Sequence, residues 1–378
     1  MTVSLAKKSA VREAILRAAA YPFTPIDAPV KLDQNESGYD FPPALKALAV
    51  ERIARVNWNR YPDMNADSLR LELSRYLQWD ARGIVVTTGS NVLIHALAQI
   101  AGLGARVVTV TPAFSLYTLS AKLLEAELTQ VPLEPDFGLP LPALLQELQR
   151  GSGVLYLAEP HAPTGALHDI AQLEELIRAA QNWIVVIDEA YVEYAQVDHT
   201  ALVEHKNVCI LRTFSKAWGL GGLRLGYLMA QPELASQVQK ILAPFNVSLL
   251  HAVIASVALE NPSYVTERVN EALLERMRVF AALQNHPTWH IYPSRANYHL
   301  IRTPDAALAH AGLLERGVLV RRQDSLLGLE GCIRVSIGTP AENTAFINAA
   351  NELGTGAAQE LGTGAAQELG TGAAQEQS

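Results

Sequence analysis

From about residue 84 onward, short apolar runs rich in Val and Ile alternate with longer stretches whose apolar positions recur at helical spacing. The runs are Ile84–Thr88, Arg106–Val110, Glu127–Leu133, Val154–Ala158, Ile184–Asp188, Val208–Thr213 and Gly226–Ala230, with segments such as Asn91–Ala101 and Asp169–Ala180 between them. Alternation of this kind predicts an α/β unit: a mostly parallel seven-stranded sheet, buried on both faces by helices. Ligands of such sheets bind where the carboxyl ends of the strands meet their loops. The chemistry is therefore to be sought just after each run.

The pattern changes near Pro244. A long helical stretch is expected over about His251–Gln284, then strands near His299–Arg302 and Ile333–Ser336 with helices between them. This reads as a second, smaller α+β domain. The division expected is an N-terminal arm, 1–45, joining the small domain; a large α/β domain, 46–245; the small domain, 246–352; and a tail, 353–378. In that tail LGTGAAQE occurs in tandem from Leu353 to Glu376. Two glycines in every eight residues and no bulky side chains suit neither a stable helix nor a core, so no catalytic part is expected of it.

Composition narrows the picture. At 378 residues, with 49% hydrophobic and 18% charged residues, the chain has enough apolar material for two cores. No run reaches the ~18–20 apolar residues of a membrane helix. The opening segment carries Arg12, Glu13 and Arg17 and reads as an amphipathic helix, not a secretory signal. Cys209 and Cys332 form no CxxC pair, which favours a reducing cytoplasm. His286 and His290 are separated by a segment containing Pro287, no HExxH occurs, and no metal site is expected. The formal net charge of -8 argues against nucleic acid as a partner. It also means that a phosphorylated ligand needs a local basic cluster, because the overall field repels anions.

Four motifs follow predicted strands. Gly89, Ser90 and Asn91 form a strand-to-helix turn whose free N–H groups suit a phosphate, although many such turns hold nothing. Pro160, Pro163 and Gly165 make a rigid turn after Ala158. IVVIDEAY ends a strand at Asp188 and Glu189; a Walker B reading needs a GxxxxGK[ST] partner, which the chain lacks. Lys216 sits in LRTFSKAWGLGGLRLGY, on a loop between apolar strands where burial would lower its pKa and make its amine usable for a Schiff base. The GLGGLR portion fails as a dinucleotide fingerprint, since Arg224 stands where the third glycine belongs.

In this order, together with GLR, the motifs resemble the fold-type-I pyridoxal-phosphate enzymes over nearly the whole chain to about residue 352. The resemblance implies pyridoxal 5′-phosphate as cofactor. It implies that Lys216 carries the Schiff base and then shuttles a proton, that Asp188 pairs with the pyridinium nitrogen, and that Tyr191 donates to the ring's phenolic oxygen. Ser90, Asn91, Ser215 and Arg224 would hold the cofactor phosphate, and Phe114 would stack on the ring. Tyr61, in NRYPD, matches a tyrosine reaching the phosphate of a neighbouring subunit, which implies a homodimer with shared sites.

Within that group the chain is similar to the histidinol-phosphate aminotransferases, through LDQNES with Asn35, NRYPD, the Lys216 segment, GCIRVSIGT and the position of Tyr21 in AYPF. The resemblance implies transfer of an amino group from L-histidinol phosphate to 2-oxoglutarate, with the substrate bound by Tyr21, Asn35, Arg321 and Arg334. The arginines supply the local cluster that the acidic chain requires. Two departures stand out. Ala162 occupies the place of the family's usual asparagine, so Tyr191 has to serve the phenolic oxygen alone or with His161. Arg322 stands where an acid is common, and either joins the phosphate cluster or faces solvent. Open alternatives are another aminotransferase or a threonine-phosphate decarboxylase-like enzyme on the same scaffold, and a cofactor-binding regulator. The last would need a DNA-binding domain for which residues 1–30 are too short.

Overall fold

The computed structural model describes residues 10–19, 24–101 and 104–354. Its strands, in chain order, are β1 (Val30–Leu32), β2 (Ile84–Thr87), β3 (Arg106–Thr111), β4 (Glu127–Pro132), β5 (Gly153–Ala158), β6 (Trp183–Asp188), β7 (Val208–Thr213), β8 (Gly226–Ala230), β9 (His290–Ile291), β10 (Tyr298–Arg302), β11 (Val318–Arg322) and β12 (Cys332–Ser336).

The seven-stranded sheet runs β2-β8-β7-β6-β5-β3-β4. All pairings are parallel except those of β8. Successive side chains point to opposite faces, and here both faces are apolar. Val86, Val108, Leu155, Val185 and Ile210 belong to one core; Val85, Val107, Val154, Val186 and Cys209 belong to the other. Helices such as Ser90–Ile100 and Ile170–Ala179 cover the sheet. Asp169 caps the second of these, accepting a hydrogen bond from Ala171 N at 2.9 Å.

One consequence of this order positions the site. Because β8 alone is reversed, its first residue, Gly226, pairs with the last residues of both β2 and β7, Thr87 and Thr213. The carboxyl ends of β2, β3, β5, β6 and β7 and the start of β8 therefore open onto one edge of the sheet.

The second sheet runs β1-β11-β12-β10-β9 and has its own core, including Leu32, Ile301, Val320, Ile333 and Phe346. The N-terminal arm contributes β1, parallel to β11. Three details differ from the sequence expectation. The helical stretch over His251–Gln284 is two helices, Leu249–Glu260 and Ser263–Leu283, broken at Asn261 and Pro262. The sequence pattern marks no strand at β1, β9 or β11. Within the N-terminal segment, the described residues hold a helix only over Glu13–Arg17. The tandem repeat beyond Gly354 lies outside the described residues, and so does Tyr21. Among the described residues no helix is long and apolar enough to cross a membrane.

Candidate active site

A cavity of ≈ 590 Å³ lies at that edge, between the ends of the large sheet and the arginine-bearing strands of the small one. One wall has the chemistry of an anion cradle. Gly89, at φ 89°, turns the chain from β2 into the helix Ser90–Ile100. The helix start leaves its first N–H groups without intrahelical partners. A Cβ on Gly89 would lie 2.9 Å from Arg224 Nη2, and one on Gly226 only 2.3 Å from Ser90 N. Glycine at both positions lets the guanidinium and β8 close upon the turn. Arg224 Nη1 donates to Ser215 Oγ at 3.4 Å and to Gly221 O at 3.0 Å. Ser215 is fixed in turn by Thr213, whose Oγ1 lies 3.0 Å from Ser215 Oγ. Ser90, Asn91, Ser215 and Arg224 thus all border the cavity.

Across the floor, Asp188 ends β6 with its carboxyl buried. Burial pushes its pKa up to about 6, opposed by the hydroxyl of Tyr117 and the N–H of Ala190. Tyr117 Oη donates to Asp188 Oδ2 at 2.8 Å and stacks on Tyr156 at 5.0 Å, while Phe114 meets its edge at 5.7 Å. Sequence reasoning found Phe114 and missed Tyr117. The signal was its place three residues on along the helix start, hence on the same face.

Lys216 follows β7 on the loop that also carries Ser215. Burial lowers its pKa; Tyr191 opposes this, and the nearby cations Arg334 and Arg224 add to it. Its Nζ donates to the backbone carbonyl of Gln34 at 2.8 Å and lies 5.8 Å from the centroid of the Tyr191 ring. Ala162 and Pro163 complete this side. His161 does not help there: its ring is buried outside the cavity lining, with Nδ1 2.8 Å from Thr164 Oγ1.

The opposite wall carries the arginines. Arg321 on β11 and Arg334 on β12 are cross-strand partners in register. Like charges placed directly opposite repel, so this pairing suits a wall that receives an anion. Arg334 Nη2 donates to Asp33 O at 3.0 Å, while its buried Nε has no hydrogen-bond partner among the described residues. Arg322 also borders the cavity, but its guanidinium is held by Asp324 through bonds of 3.0 and 2.6 Å, so its charge is met locally.

Two predicted residues stand elsewhere. Asn35 is not at the substrate cavity: its amide is engaged by Tyr191 and Ser336 behind the wall. Tyr61 does not line its own chain's cavity; it is 83% exposed, with its ring 4.9 Å from that of Phe245. The arrangement brings a desolvated amine, a buried carboxyl and a turn suited to an anion onto one cavity. Those residues fit a phosphorylated pyridine aldehyde: anion to the cradle, ring nitrogen to Asp188, carbonyl to Lys216.

Comparison with known proteins gives this architecture its family. The family described as aminotransferase class I and II matches residues 28–349. The histidinol-phosphate aminotransferase of Deinococcus radiodurans is 52% identical over 345 residues, 90% of this chain and 96% of that one. A crystal structure of the histidinol-phosphate aminotransferase of Sinorhizobium meliloti, in complex with pyridoxal-5′-phosphate, superimposes with a TM-score of 0.82 at 25% identity, over 93% of this chain and 100% of that one. The L-threonine-O-3-phosphate decarboxylase of Porphyromonas gingivalis has a TM-score of 0.73 at 24% identity, over 86% of this chain and 99% of that one, and shares the fold alone. The chain belongs to the class I and II aminotransferases and, within them, to the histidinol-phosphate aminotransferase family.

Proposed function

We propose that this chain, with pyridoxal 5′-phosphate as its cofactor, moves the amino group of L-histidinol phosphate to 2-oxoglutarate, giving imidazole-acetol phosphate and glutamate. The observation that carries this reading is the facing pair Arg321 and Arg334, a second anion-receiving wall across the cavity from the cofactor cradle. The 52% identity to a curated histidinol-phosphate aminotransferase supports it. The small-sheet residues, with the arm 1–45 and the segment 246–352, act as the substrate-phosphate unit; residues 46–245 act as the cofactor unit.

Bound pyridoxal phosphate supplies a carbonyl that links to amines and a ring that takes up the electron pair of the breaking Cα–H bond. The chain does the rest. Ser90, Asn91, Ser215 and Arg224 would hold the cofactor's phosphate. Phe114 would pack on the ring, and Asp188 would keep a proton on the ring nitrogen. Tyr191 would donate to the ring's phenolic oxygen. Lys216, whose pKa burial lowers, would link to the carbonyl until the substrate's amine takes its place there; the released Lys216 amine would then accept the proton from the substrate's Cα and return it one carbon away. Arg321, Arg334 and Tyr21 bind the substrate's phosphate, so that Cα is carried to Lys216.

The working form we propose is a cytoplasmic homodimer in which Tyr61 reaches the cofactor phosphate of the second copy. Tyr61, Met64 and Phe245, all exposed and in contact through the Tyr61–Phe245 rings and the Phe245 N–H to Met64 O bond, form an apolar patch suited to such an interface. Both cysteines are free thiols, which suits a reducing compartment. The test is a half-reaction screen: the loaded protein is mixed with histidinol phosphate, phenylalanine, aspartate or threonine phosphate, and the cofactor's absorbance band is followed. Prompt loss of the band with histidinol phosphate alone is expected. Equal loss with phenylalanine, or carbon dioxide release from threonine phosphate, would replace this reading with one of its rivals.

A further inference from the structure

Asn35 does not touch the cavity, yet every polar atom it has is engaged. Its backbone N–H donates to Ser336 Oγ at 2.8 Å, and Ser336 Oγ donates to its Oδ1 at 3.2 Å. Its carbonyl accepts from Asn297 Nδ2 at 3.1 Å, and its own Nδ2 donates to Tyr191 Oη at 3.0 Å. The residue is 1% exposed and holds φ 54°, a left-handed conformation that asparagine tolerates better than most. In the structure the amide turns Oδ1 to Ser336 and Nδ2 to Tyr191. The phenol oxygen therefore meets a donor, not an acceptor.

A hydroxyl oxygen that accepts a hydrogen bond keeps its own proton free for another acceptor and becomes a stronger donor. Ala162 offers the cavity no amide, so Tyr191 carries this duty without an asparagine beside it. We propose that Asn35 is a positioning residue for Tyr191: its amide, anchored on Ser336 of β12, occupies Tyr191 Oη and aims the phenol O–H into the cavity. Ser336 lies two residues beyond Arg334, on the same face of that strand. The strand that carries the substrate arginine thus also sets the donor of the cofactor site. This rests on the reading that a cofactor ring oxygen is what Tyr191 serves.

The experiment loads the parent, Asn35→Asp and Asn35→Ala with pyridoxal phosphate and titrates the bound chromophore's absorbance against pH. Negative charge left on the ring oxygen holds the proton on the nearby lysine-derived nitrogen, so a weakened Tyr191 donor moves the midpoint up. Asn35→Asp keeps shape and backbone but turns the phenol O–H onto its carboxylate; a rise of about one pH unit is expected, with about half that for Asn35→Ala. Aspartate adds a charge and alanine does not, so the alanine shift must appear too. Where Asn35→Ala does not fold, Ser336→Ala removes the anchor without adding charge and is expected to move the midpoint the same way. An unmoved midpoint in the uncharged variant overturns the inference while leaving the functional reading intact. A parent that takes up no chromophore overturns both.

Discussion

Asp188 and Tyr117 set the protonation of the cavity floor between them. Burial raises the carboxyl to about 6, and the Tyr117 hydroxyl works against that rise. In the cofactor-free protein the raised value favours the fold below the ordinary carboxylate range, and that preference is lost as pH rises through about 6. Pairing with a protonated ring nitrogen needs the carboxylate, so cofactor affinity strengthens over the same interval. Tyr117→Phe removes the opposing donor. Its expected effect is a roughly ten-fold weaker affinity for pyridoxal phosphate near neutral pH, with the gap closing as pH rises, read by titrating apo-protein. On the other wall, Arg334→Ala is expected to raise the KM for histidinol phosphate by roughly a hundred-fold, about 3 kcal/mol, while leaving cofactor affinity near the parent's. Arg321→Lys keeps the charge but loses the planar fork, and should recover only part of the binding that Arg321→Ala loses. Steady-state kinetics beside cofactor titration separates the two walls.

At the scale of elements, the closeness of β8 to the turn Gly89–Asn91 shapes the proposed phosphate cradle. A side chain on Gly226 meets backbone, which cannot swing aside. Gly226→Ala is expected to cost about 1–3 kcal/mol of stability and to weaken cofactor binding together with it, seen as a lower Tm with and without pyridoxal phosphate. Most of this element framework was legible in the sequence. The central strands of the large sheet are largely apolar runs, while the edge strand β4, ELTQVP, is half polar and partly exposed; the residues that matter sit at or just past the ends of the runs. Strands β1 and β9, at three and two residues, are too short to leave a pattern. Strand β11 ends in Arg321 and Arg322 and so reads as half polar. The break at Pro262 was hidden because proline is compatible with a helix start, and both flanks carry helical spacing. What the sequence could not reveal is pairing at a distance. Asn35 matched a motif, but its bond to Tyr191 spans 156 positions and exists only once the arm is folded beside β12.

For the whole molecule, the two sheets contribute different parts of one cavity, and Tyr61 is exposed and outside the lining of its own chain's cavity. A homodimer with shared sites predicts that chains carrying Lys216→Ala and chains carrying Tyr61→Ala, each poor alone, regain turnover when mixed and allowed to exchange. Absence of any recovery, with dimers present by sedimentation, would remove Tyr61 from the site. Everything else depends on the amine of Lys216 linking to the cofactor. The most direct measurement is borohydride reduction of the loaded protein followed by peptide mass analysis. The parent should carry the reduced cofactor on the peptide containing Lys216, and Lys216→Ala should carry none and turn over nothing. Cofactor fixed elsewhere in the parent, or turnover surviving in Lys216→Ala, would contradict the account.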